Sequence, residues 1–388
     1  MTSSDLRSSS NAEVLHWLAG RDVLARSGAV TERCHVDDVD GLIAVAEAER
    51  LLGPLLDAAL EGEVEVPEPS LERLVERHAA AMAWCVLIEA RLLEVRSWFD
   101  DAGGVEHRVI KGAAVAHLDE SDPAMRSFAD LDLLVAADDI DRAVGVLEAS
   151  GATRPWPQRR PGFDRRFAKS VTLTCPDGIE IDVHRALCDG VHGVRVPLAE
   201  LFEQSDSFDL GGESVLALTS PHRMLHAAYH AVLGSHTPRL MSLRDLARYM
   251  ARLDLSPDVI APIARSWRGE AVLAAAVDVT SAKLGLDART LLGAGASSPQ
   301  SGWPAWLAWS ATVDVSDAEA AVVAAQQREG SSFGRGKLKV LRELPGFSRK
   351  VAYGRAVAWP SAGHLAARGL RRSDALRSLA GLGRRPLG

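Results

Sequence analysis

Two acids two residues apart, Asp130 and Asp132, stand inside the run Phe128-Ala-Asp-Leu-Asp-Leu-Leu-Val135. Side chains of a strand alternate faces with period two. That spacing predicts both carboxylates on one face, with Leu131, Leu133 and Val135 turned into a core. Carboxylates held side by side repel unless a cation sits between them. Oxygen ligands that retain waters suit Mg²⁺. A third acid stands in Asp182-Val183-His184, at the end of Ile179-Glu-Ile-Asp-Val183. The same alternation places Glu180, Asp182 and His184 on one face, opposite Ile179, Ile181 and Val183.

Three carboxylates on adjacent strands suit a pair of divalent ions about 3.5–4 Å apart. Such a pair serves in-line phosphoryl or nucleotidyl transfer: one ion activates an attacking hydroxyl, the other grips the triphosphate. In this reading Asp130 and Asp132 bridge two Mg²⁺ ions, and Asp182 completes the first site and helps deprotonate the acceptor. Gly112 lets a phosphate approach the backbone. Lys111 and Arg126 neutralise phosphate oxygens, the arginine through its fork. His184 shares the face, where it either meets the cofactor or packs. The bland alternative is a set of strand-end aspartates that cap helices or pair with Arg126.

The elements that must position these residues follow from periodicity and turn chemistry. Glu13–Leu24, Val39–Leu60 and Ser70–Phe99 repeat apolar residues at three- and four-residue steps and predict helices, the last with Ser70 as N-cap. Glu61–Pro69 is a connector. Glu106–Ile110 predicts a strand, Ala113–Leu118 a helix and Ser127–Val135 a second strand. Asp138 is placed to cap the next helix, and Gly151 to end it. Val171–Cys175 and Ile179–Val183, around Pro-Asp-Gly178, predict a hairpin. The basic stretch Arg154–Lys169 reads as a loop. From Ser220-Pro221 the pattern is helical again, with His222, His226 and His230 at four-residue steps. That spacing permits two metal ligands on one face, yet without HExxH a cleft-lining or core stripe is the better reading. Asp245, beside Arg244 and Arg248, reads as a structural ion pair or cap. The helices after 256 are interrupted at Gly293–Pro304.

These patterns predict an α+β protein: a small mixed sheet flanked by N- and C-terminal helical regions. The expected division is residues 1–100 (helical), 101–205 (the α/β core), 206–330 (helical) and 331–388 (a basic helical tail). Hydrophobic content of 47% and charged content of 25% are ordinary for a globular chain. The cysteines Cys34, Cys85, Cys175 and Cys188 show no CxxC spacing, which argues against a zinc site and a disulfide framework. A reducing cytoplasm is the expected setting. No secretory pattern marks the N-terminus, which reads as a frayed polar end, and no run reaches the ~18 apolar residues of a membrane span. The net charge of −8 conceals an asymmetry. Residues 328–388 carry 14 Lys+Arg against 3 Asp+Glu, and the remainder 30 against 49. The tail is expected to fold over the acidic body or to be solvated. Without interleaved basic and aromatic residues near the aspartates, nucleic acid is not the expected partner.

The order Lys111-Gly-Ala-Ala, then Arg126-x₃-Asp-x-Asp-Leu-Leu-Val135, then Asp182-Val-His184 resembles the uncharacterised bacterial nucleotidyltransferases, a branch of the DNA-polymerase-β-like superfamily. The resemblance is specific over residues 109–184 and extends more weakly over about 40–260, to Leu243-Arg-Asp-Leu246. It implies Asp130 and Asp132 as metal ligands, Asp182 as the third carboxylate, and a nucleoside triphosphate as substrate. In one respect the chain departs from the superfamily. There Gly-Ser usually opens a helix shortly before the aspartate pair; here Lys111-Gly112 stands in that place, with no serine following and a longer gap. The expected activity is transfer of a nucleoside monophosphate from NTP to a hydroxyl of a small molecule, peptide or protein. The alternatives are a non-catalytic nucleotide- or metal-binding module of the same fold and a helical interaction protein.

Overall fold

The computed structural model describes residues 6–26, 33–234, 238–286, 302–316, 319–320, 323–324 and 333–379. Most of the expected break at Gly293–Pro304 lies outside the described residues. So do the first residues of the expected polar N-terminus.

Helices come first: α1 (Asn11–Arg26), α2 (Val39–Ala48), α3 (Leu52–Leu60) and the long α4 (Glu68–Asp101). Two short strands, β1 (Leu6–Ser8) and β2 (Arg33–His35), pair beside them in parallel. The run expected as one helix over Val39–Leu60 is broken at Arg50. That residue adopts φ +62°, and Leu51 N donates to Ala46 O across it. This is the left-handed helix ending in which glycine is usual. Ser70 does not cap α4; it lies inside the first turn, behind Pro67 and Pro69, and its hydroxyl donates to Asp40.

The sheet follows: β3 (His107–Val109), α5 (Ala113–Leu118), β4 (Asp130–Val135), α6 (Ile140–Ala149), α7 (Phe163–Phe167), β5 (Ser170–Thr174), β6 (Glu180–His184), α8 (Gly190–Arg195), α9 (Glu200–Glu203), β7 (Asp206–Leu210) and β8 (Glu213–Ala217). Six of these strands form one mixed sheet in the order β5-β6-β4-β3-β8-β7. The pairs β4–β6 and β3–β8 are parallel, and the other three are antiparallel. The hairpin β7–β8 is an addition to the sequence reading, which had no strand beyond residue 184. Its signals are Gly211-Gly212 and the alternation of Phe208 and Leu210 with Val215 and Ala217. The Arg-rich stretch expected as a loop contains α7. Asp138 does not cap α6: it lies in a 3₁₀ turn, and the N-cap residue is Asp139.

The two faces of the sheet bury different neighbours. Leu131, Leu133, Val135, Ile181 and Val183 share one apolar core with Ile88, Leu92, Val95 and Phe99 of α4 and with Ile140 and Leu147 of α6. Burying each such side chain contributes roughly 1.5–3 kcal/mol. On the opposite face Ile110 and Leu134 join a second core. That core includes α10 (Ser220–Leu233), α11 (Leu240–Ala251), α12 (Pro257–Ser266) and α13 (Glu270–Leu284) together with α1–α3. The N- and C-terminal helices therefore pack against each other and cover the acid-bearing face. The expected architecture, a small mixed sheet flanked by helices from both ends of the chain, is the one observed.

Candidate functional site

The register of β4 and β6 sets Asp132 directly opposite Asp182, and Leu134 opposite His184. Both acids and His184 thus project from the face that α10 and α11 cover, as the period-two reading requires. His184 Nε2 lies 2.7 Å from Asp132 Oδ1 and 3.8 Å from Asp182 Oδ2. The hydroxyl of Thr172, opposite on β5, donates to Asp182. Ligand atoms of Asp132, Asp182 and His184 all lie within 4.8 Å of one another, and no other such group occurs among the described residues. Two carboxylates and an imidazole make a donor set that fits a divalent cation.

Asp130 is not part of that group. It stands at the start of β4, with Arg50 Nη1 3.9 Å from its Oδ1. The structure does not bring Asp130, Asp132 and Asp182 together as the sequence reading had them. A histidine occupies the third corner instead.

Lys111 follows β3, and its Nζ donates to Asp132 Oδ1 at 2.7 Å, the same oxygen that His184 meets. Burial alone would raise the carboxyl pKa of Asp132. The Lys111 ammonium and the His184 hydrogen bond outweigh it and hold the carboxyl well below its ordinary range. Gly112 caps α5 with φ +52° and ψ −116°. A side chain there would be strained by the backbone and would press on Phe128 at 3.4 Å.

Arg126 behaves differently from expectation. Its Nε and Nη2 form a two-pronged contact with Asp245 on α11, at 2.8–3.1 Å, and both side chains are 8% exposed. Its fork is committed to a carboxylate instead of being open to a phosphate. Asp245 is an ion-pair residue as expected, but its partner is Arg126, not Arg244 or Arg248.

A cavity of about 310 Å³ opens beside these groups. Asp130, Asp132, Lys111 and Gly112 line one wall; Arg50, Arg239, His226 and His230 line others. The histidine stripe of α10 therefore serves as cleft lining at two of its three positions. The third, His222, stacks on Trp267 with ring centroids 5.7 Å apart. His226 Nδ1 lies 3.1 Å from Ile110 O, a contact in which only the imidazole can donate, while its buried Nε2 has no partner. Burial, then the Lys111 charge, keeps His226 neutral, with a pKa well below the usual histidine value. Sequence reasoning did not find Arg50 or Arg239 as cavity residues. Arg50 sits at a helix junction and Arg239 directly before α11, positions that carry no motif.

Below Asp132 the end of α5 is tied to the C-terminal helices by acids and arginines. Asp119 accepts from Arg223 Nε at 2.8 Å and from the Tyr249 hydroxyl at 2.5 Å. Glu120 pairs with Arg244 and Arg248, and Asp22 of α1 joins both arginines. Gly53 of α3 lets the following loop pass: a Cβ there would lie 2.7 Å from Ala124 O. These contacts fix the loop that delivers Arg126 and β4.

Sequence comparison agrees with this architecture. The profile of a family described as uncharacterised nucleotidyltransferases matches residues 35–285, and the chain belongs to that family. No curated protein matches it. Among solved structures, an antigenic nucleotidyltransferase-like protein from Paracoccidioides brasiliensis aligns at 14% identity, covering 52% of this chain and 93% of that one, with a TM-score of 0.31. No described helix is long and apolar enough to cross a membrane, and no disulfide joins the four cysteines.

Proposed function

We propose that the chain transfers a nucleoside monophosphate from an NTP to a hydroxyl-bearing acceptor, using Mg²⁺ held by Asp132 and Asp182. The observation that carries this reading is that Asp132, of the Asp132–Asp182–His184 group, lines a cavity whose walls also present Lys111, Arg50 and Arg239. Cations on the walls and carboxylates at one end suit a metal-bound triphosphate, whose own charge is strongly negative. A volume of about 310 Å³ lies in the range of small-molecule sites.

Bound Mg²⁺ would supply charge neutralisation at the phosphates and a more acidic acceptor hydroxyl. The chain's own groups do the rest. Lys111, Arg50 and Arg239 hold phosphate oxygens. Asp182, 24% exposed and oriented by Thr172, takes the acceptor's proton. The acceptor oxygen bonds to the α-phosphorus, the bond from that phosphorus to the bridging oxygen breaks, and pyrophosphate leaves. His184 holds Asp132 in place through Nε2. Arg126 acts at one remove, by tying the Gly112 segment to α11 through Asp245. Its Nη1 lies 3.5 Å from Gly112 O.

A second reading has one specific observation in its favour. Lys111 and His184 already satisfy the same oxygen of Asp132, and Gly-Ser is missing. A binding module that retains nucleotide without turnover fits those two facts. Incubation with α-labelled NTPs and Mg²⁺ or Mn²⁺, alongside calorimetry, separates the readings. Divalent-dependent NTP binding with pyrophosphate release supports transfer, and binding without release over a panel of hydroxyl acceptors supports the module. Absence of any metal-dependent nucleotide binding defeats both.

A further inference from the structure

Away from the aspartates, α7 and the helix Phe347–Ala358 enclose a cleft of about 500 Å³. Arg160, Arg166 and Arg355 line it together with Phe163, Phe167 and Phe347, and no acid does. Arg160 Nε donates to Trp359 O at 2.6 Å. Among the described residues no carboxylate pairs with Arg166 or Arg355. Phe347 is 83% exposed and Val351, one turn on, 51%. Phe163 and Phe167, with ring centroids 5.6 Å apart, form the apolar floor, and Tyr353 packs edge-on against Phe167 at 5.3 Å.

Two basic segments far apart in sequence are thus brought face to face. Like charges at that range repel, and what holds them is an apolar cluster in which Val340, Leu344, Tyr353 and Val357 meet Phe163 and Phe167. The arrangement leaves positive charge and an exposed aromatic face side by side in a concavity. A ligand that satisfies both must carry anions along a flexible backbone and flat apolar rings between them. Single-stranded nucleic acid has that chemistry. A duplex hides its ring faces, and a bilayer surface meets convex helices, not the floor of a cleft.

We propose that the cleft between α7 and Phe347–Ala358 binds single-stranded nucleic acid, with a base stacked on Phe347 and phosphates on Arg160, Arg166 and Arg355. This goes against the sequence expectation that nucleic acid is not a partner. That expectation rested on the surroundings of the aspartates, whereas the basic and aromatic residues gather elsewhere, from two stretches that only the fold unites. The binding is independent of the transfer reaction.

Fluorescence anisotropy of a labelled uridine oligomer of about 16 nucleotides, with the full-length protein and without NTP or metal, tests the proposal. Binding at about 50 mM salt should weaken steeply as salt rises. Phe347→Ala should weaken it about tenfold, and Arg166→Glu with Arg355→Glu by more. All three side chains face solvent, so the fold should survive, as a thermal melt checks. Asp132→Ala should bind as the native chain does, so loss of nucleotidyl transfer leaves this result standing. The proposal is overturned if the native protein ignores the oligomer at low salt, or if both variants bind it unchanged. It is equally overturned if phosphatidylserine vesicles are bound in its place and released by the same substitutions.

Discussion

Asp132 and Glu120 are both nearly sealed from water, with side chains 2% and 1% exposed. Both carry compensating cations, but of different kinds. Around Glu120 these are Arg244 and Arg248, cross-linked further by Asp22. Around Asp132 the cation is Lys111, which shares one carboxylate oxygen with the His184 imidazole. A guanidinium keeps its charge at any accessible pH and grips in a fixed plane. An ammonium is a point charge on a flexible stem. Arginine therefore grips Glu120 in a fixed frame, whereas the charge on Asp132 is met by one flexible side chain.

The comparison fails most visibly if the Asp132 side proves structural. Asp132→Ala is expected to lower nucleotidyl transfer by about 10³-fold or more, with a stability loss of about 1–3 kcal/mol, since Lys111 can turn toward the open cavity but the buried His184 Nε2 loses its partner. Pyrophosphate release and a melt give both numbers. Glu120→Gln should do the reverse. It leaves Arg244 and Arg248 short of a charge in a buried setting, at a cost of about 3 kcal/mol or more, read as a lower urea midpoint. Transfer by the protein that stays folded should be close to normal.

Acid should separate the two sides as well. His226 is held neutral in the fold, while in the unfolded chain it takes a proton below about pH 6.5. Its folded pKa is depressed, so the unfolded state binds more protons as pH falls, and stability declines by up to about 1.4 kcal/mol per pH unit below that point. The loss begins at pH 6.5 and runs downward. Urea midpoints at pH 7 and pH 5 show it. His226→Asn, which keeps a donor for Ile110 O, should flatten the slope. The smallest effect sharpens the site itself. Asp130→Asn should reduce transfer only about tenfold, because Asp130 lies outside the group around Asp132. A loss equal to that of Asp132→Ala would restore the arrangement in which both aspartates share the metal.

How much of this was legible in the sequence depends on range. The faces of β4 and β6 follow from period two, because an alternating strand leaves no second choice once Leu131, Leu133, Ile181 and Val183 go to the core. Lys111-Gly112 beside the acids was legible too, since a strand end next to a positive-φ glycine is a local matter. Arg126 was not. Its partner Asp245 is 119 residues away, and nothing in its neighbourhood shows that the fork is already taken. Which carboxylates converge was beyond reach for the same reason: strand facing is local, but the distance between β4 residues and β6 residues is set by register and twist. The hairpin β7–β8 was within reach through Gly211-Gly212, yet its strands are five residues each and half polar, a pattern weaker than the helix beyond them.

The left-handed turn at Arg50 has a consequence for anyone engineering this chain. Arg50 and Arg268 are the two non-glycine residues with positive φ among those described, and such a conformation costs of the order of 1 kcal/mol. Glycine at position 50 would relieve that cost and would score as an improvement in any screen for thermal endurance. It would also delete the guanidinium that faces Asp130 across the cavity. Selection on heat tolerance alone would therefore trade away part of the cavity wall, and a consensus-style stabilisation of this protein should leave position 50 untouched.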